Sequence, residues 1–183
     1  MRIRVKNTWQ DKDKERSLED IAGVLAFNLW KIAGAIVLNL ENEGFQTDSQ
    51  SQRLDVFAEL IAFFIHVVDR LASDRDFDED SRRELITALA KSLTKTMHDN
   101  RVDFEGEGDY RDAFVTLLNE RMSEYAGFNY TDGEPGFQLR RRVGEHVQAV
   151  MGAKDNKWVP DQILEIEIPE AMKVFKRVVR SLM

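Results

Sequence analysis

Residues 17 to 43 and 53 to 73 are two long runs whose apolar side chains fall on almost every side of a helical wheel. In the second run Leu54, Val56, Phe57, Leu60, Ile61, Phe63, Phe64, Ile65, Val67, Val68 and Leu71 leave only a narrow polar strip. A helix apolar around most of its circumference must be enclosed by several neighbours or by another subunit. The chain is therefore expected to build a bundle around these two helices, with a subunit interface on them and a homodimer as the assembly.

The stretch from Ile21 to Leu40 also has the length of a membrane span. Lys31 near its centre, at a cost of about 3 kcal/mol in a bilayer, and Asn28 and Asn39 argue instead for a core helix. No transmembrane segment is expected. Residues 1 to 20 hold no apolar run of signal-peptide length, and the chain has no cysteine. Both observations fit a reducing, cytoplasmic setting without disulfides or thiolate metal sites. With 33 acidic and 26 basic residues, the net charge of -7 opposes non-specific nucleic-acid binding.

The 183 residues suit one domain spanning 1-183, since no repeat or low-complexity tract divides them. The spacing predicts a mainly α, single-domain helical bundle of about six helices. Ser17 and Asp20 resemble a capping box that opens the first helix, and Gly44 closes it. Leu85, Ile86, Leu89, Leu93 and Met97 mark a third helix, and Tyr110 to Tyr125 a fourth. Asp132-Gly133 and Pro135-Gly136 signal turns in the loop at 127 to 137. A fifth helix carries Leu139, Val143, Val147, Val150 and Met151, and a basic amphipathic helix occupies 170 to 182. Strict alternation in residues 2-6 and again in 164-168, with opposite charges on the polar faces, predicts a small two-stranded β-ribbon pairing these segments.

No phosphate cradle, nucleophile elbow or HExxH is present, so the main enzyme classes lose their support and no cofactor is implied. Asp74, Asp76, Asp78 and Asp80 alternate like half a calcium loop, but Glu79 stands where glycine is needed and Leu85 where the bidentate Glu belongs. The bland account is a solvated loop whose Asp80 and Ser81 cap the third helix. His98 reads as a dipole-stabilised residue at that helix's end. Glu59, His66 and Asp69 form a polar stripe on the second helix that suits a ligand or metal, although the Glu-x-x-His pairs of a di-iron bundle are missing. The competing reading makes the stripe the solvent side of the helix.

Phe128, Tyr130 and Phe137 lie on a turn-rich loop followed by Arg140, Arg141 and Arg142, a composition suited to binding an acidic protein or a phosphate-bearing partner. Three consecutive helical residues span some 200° of arc, so not all can face one partner. The resulting expectation is a self-associating, helical protein-interaction or regulatory module. Its alternatives are a ligand-binding bundle centred on Glu59, His66 and Asp69, and membrane or nucleic-acid contact through the basic C-terminal helix.

Overall fold

The computed structural model describes residues 17–75, 77–152 and 156–182. Among them six helices and one two-residue hairpin are present. Helix α1 (Leu18–Asn42) starts where Ser17 Oγ accepts the Asp20 N–H at 3.1 Å. It ends in a Schellman turn: Gly44 adopts φ +88°, Phe45 N–H reaches Leu40 O, and Gly44 N–H reaches Glu41 O. Helix α2 (Gln50–Asp74) begins three residues earlier than its apolar pattern, because Ser49 caps Gln52 N–H. Helix α3 (Glu79–Glu105) is capped by Asp78, whose carboxylate accepts the Ser81 N–H at 2.8 Å, so the cap precedes the expected Asp80. It also runs eight residues past Met97, placing His98 inside the helix, where Nδ1 accepts the Tyr110 N–H.

Helix α4 (Arg111–Tyr125) leads to a hairpin of β1 (Tyr130–Thr131) and β2 (Glu134–Pro135). Its turn residues Asp132 and Gly133 have φ of 55° and 70°, the left-handed pair that a tight hairpin requires. Helix α5 (Phe137–Val150) follows. The last helix, α6, joins an α-helical turn (Val159–Gln162), a π-helical stretch (Ile163–Glu167) and a regular helix (Ile168–Leu182).

The bundle is organised around α2, which packs on α1, α3, α4 and α5. Sixteen of its 25 residues are buried, so the apolar girth that pointed to a second subunit is enclosed by four helices of the same chain. Helix α1 packs on α2, α3 and α6, with Trp30 against Phe57 at 4.9 Å between ring centres. It is long and apolar enough to cross a membrane, but most of its apolar window is buried inside the bundle, as in a core helix.

The expected β-ribbon is corrected at 164-168, which is helical; residues 2-6 lie outside the described residues. Ile163, Leu164, Glu167 and Ile168 face the core while Glu165 and Ile166 face out, which is helical spacing. The alternation misled because Glu167 is a buried acid: it accepts Asn39 Nδ2 at 3.2 Å and Gln162 Nε2 at 3.0 Å. Pro169 does not end the helix either. In a π-helix the N–H of residue i+5 bonds the carbonyl of residue i, as Ile168 N–H does with Ile163 O. Pro169 cannot serve Leu164 O in this way, and Arg140 Nη1 donates to that carbonyl instead, at 3.1 Å.

Candidate functional site

Helix α4 is held from behind by a polar ladder running from α2 to α5. Glu59 on α2 is 2 % exposed, and a carboxylate there must be paired. Arg121 on α4 supplies a fork, with Nε and Nη2 each 2.7 Å from a Glu59 oxygen. Arg121 also approaches Glu124 at 3.7 Å, and Glu124 takes both Arg142 Nε and the His146 ring nitrogen, the latter at 2.8 Å. Burial opposes charge on Glu124, but Arg142 and His146 outweigh it and hold the carboxyl below its ordinary value. Hydrogen bonding to Glu59 likewise strengthens the charge on Arg121.

Beside this ladder His66 and Tyr125 stack edge to face, 5.8 Å apart, and His146 lies 6.2 Å beyond Tyr125. His66 Nε2 and the Tyr125 hydroxyl are buried and have no hydrogen-bond partner among the described residues. Burial, with Arg70 nearby, lowers the His66 pKa to about 4, so the imidazole is neutral at physiological pH. Burial, with Glu59, pushes the Tyr125 hydroxyl well above its usual value. Both groups are therefore neutral members of the core.

On its other side α4 stands away from α3 and leaves an open groove of about 570 Å³. Ile65 of α2 and Leu118 form the buried floor, and Ile86, Ala90, Val115 and Met122 line the walls. From Ile86 to Lys95 the α3 wall extends about 14 Å, or two and a half turns. The rim is basic, with Lys91 and Lys95 on α3 and Arg111 on α4. Among the described residues Lys95 and Arg111 pair only with exposed Asp99 and Asp109. Lys91 has no acidic partner among the described residues and stands one turn from Lys95, a like-charge spacing that costs a few tenths of a kcal/mol.

The residues singled out in the sequence are dispersed by the fold. The solvent-side reading of the α2 stripe is corrected, because Glu59 and His66 are both buried. The three residues do not converge on a common ligand: Glu59 is engaged by Arg121, and Asp69 faces Arg82 at 3.6 Å. No group of three or more His, Cys, Asp or Glu among the described residues is arranged to hold a metal ion. Phe128 and Tyr130 pack against the core, with Arg70 over the Tyr130 ring at 5.8 Å, whereas Phe137 is exposed. The three arginines diverge: Arg140 serves Leu164 O, Arg141 pairs with Glu145 at 3.3 Å, and Arg142 joins the polar ladder. The basic face of α6 is partly spent too, since Lys173 pairs with Glu170 and Lys176 with Glu134.

Sequence reasoning passed over Arg121 and the groove. The signal for Arg121 was an Arg-x-x-Glu spacing on α4, with Glu124 one turn on; the groove needs the relative placement of α3 and α4, which no local pattern encodes. Comparison with protein-family models, with curated proteins and with solved structures finds no match to this chain.

Proposed function

We propose that this chain is a helical protein-interaction module whose α3/α4 groove receives an acidic amphipathic helix from a partner protein. The observation that carries the reading is an apolar, open groove edged by Lys91, Lys95 and Arg111. Open grooves between helices suit a docked helix that lays its apolar face on the floor, whereas a small ligand favours a site that encloses most of its surface. The cationic rim selects acidic flanks, in a chain whose net charge as a whole is -7. The expected acidic partner is thus retained, but its contact moves from the loop of Phe128, Tyr130 and Phe137 and the following arginines to the groove, because Arg140 and Arg142 are engaged within the fold.

The test uses a synthetic 15-residue helical peptide with Leu at i, i+4, i+7 and i+11 and Glu at the flanking positions, read by fluorescence anisotropy. Saturable binding is expected, weakened about tenfold or more in Lys91→Glu/Lys95→Glu and steepened at low salt. Equal binding of a peptide with Lys in place of Glu, or no binding by either, contradicts the reading.

A further inference from the structure

A second surface lies where α1 and α6 run side by side. Asn39 Nδ2 bonds Glu167 near the end of α1, while Asn28 and Val174 line the same cleft two to three turns away, so the two helices are antiparallel. The cleft holds about 320 Å³. Val174 in its lining is 48 % exposed, and Leu38 and Ile166 on the same two helices are 51 % and 50 % exposed, three of the seven large apolar side chains left exposed among the described residues. Isolated exposed aliphatics need no explanation, but several gathered along one helix pair mark a contact surface. Lys31 is the only charged residue between Ile21 and Leu40, which keeps the α1 side of this surface almost uncharged.

We propose that the α1/α6 face is the contact between two copies of this chain, related by a twofold axis. A twofold contact uses one patch twice, so the patch must complement itself. This one does. Lys31 lies about 12 Å along α1 from Asn39, whereas Glu170 is one turn along α6 from the Glu167 that Asn39 bonds, so cation and anion are offset along the cleft. A twofold axis through the middle of the cleft exchanges its ends and sets Lys31 of each copy against Glu170 of the partner subunit. Each charge has a weak local contact with which the partner competes: Lys31 sits 5.5 Å above the Phe27 ring, and among the described residues Glu170 pairs with Lys173 one turn on, both side chains well exposed to solvent. The aliphatic edges then cover one another around the charged pairs.

Sedimentation velocity on the full chain from about 1 to 100 µM tests this, with Lys31→Glu, Glu170→Lys and the double exchange alongside the wild type. A dimer is expected, weakened about tenfold by either single exchange, because each creates two like-charge contacts, and recovered by the double exchange. Circular dichroism checks that the variants stay folded, as exposed positions should. A wild type that is monomeric throughout overturns the proposal. So does a dimer indifferent to both single exchanges, a double exchange that fails to recover, or a dimer broken only by the α3/α4 rim substitutions. A monomer that instead floats with phosphatidylcholine vesicles would assign the face to a membrane and also overturn it.

Discussion

Acidification should weaken the fold through His66 before the carboxylates begin to titrate. The imidazole is 2 % exposed and its pKa is lowered from 6.5 to about 4 by burial and by Arg70. Above pH 6.5 neither the folded nor the unfolded chain protonates this group, and its contribution to stability is fully present. As pH falls below 6.5 the unfolded chain takes up a proton that the folded core refuses, and stability is lost until the folded group titrates near pH 4. The whole interval is worth about 3 kcal/mol at roughly 1.4 kcal/mol per pH unit, of which about 2 kcal/mol is gone by pH 5. With a urea m-value of about 2 kcal/mol/M, the midpoint should drop by roughly 1 M between pH 7.5 and pH 5. His66→Leu, similar in volume and without a buried nitrogen lacking a partner, should keep its midpoint to within a few tenths molar over that range. Equal pH dependence in the two proteins, or a His66 ring that titrates near 6.5 by NMR, would refute the reasoning.

The polar ladder gives a second prediction: Arg121→Met leaves Glu59 buried without its partner and should cost about 3 to 5 kcal/mol, seen as a fall in Tm of roughly 10 °C. Glu59→Leu/Arg121→Met should recover most of that loss, and a single variant within 1 °C of wild type would show that the pair is not desolvated. At the α5/α6 crossing, a Cβ on Gly144 would stand 2.7 Å from Pro160 Cα and 2.9 Å from Pro160 O, both backbone. Gly144→Ala should therefore lower stability by about 1 to 2 kcal/mol by forcing the helices apart, even though alanine favours a helix interior by about 1 kcal/mol. An unchanged or higher Tm would falsify that close approach.

The parts of the fold set by local chemistry were legible in the sequence. Ser17 and Gly44 bound α1 as their types imply, and Asp132-Gly133 forms the expected turn. The bundle itself followed from the apolar girth of α1 and α2. Misreadings arose where a polar residue is buried: Glu167 imitated the outer face of a strand, and Glu59 and His66 imitated the outer face of a helix. A sequence cannot tell a solvated acid from one paired across 62 residues, as Glu59 is with Arg121. The contact of Arg140 within the fold was hidden for a similar reason, because it arises from the carbonyl that Pro169 leaves unserved in a π turn. The groove was invisible because its floor residue Ile65 and its walls come from three helices whose relative placement is a property of the whole bundle.

The central claim is that the α3/α4 groove seats an acidic helix, and methyl NMR tests it most directly. With Ile, Leu and Val methyls labelled, addition of the Glu-flanked peptide should give saturable shifts at Ile65, Ile86, Val115 and Leu118, while Leu38, Ile166 and Val174 on the α1/α6 face stay unmoved. Shifts confined to the α1/α6 face, or none at the groove under saturating peptide, would contradict it.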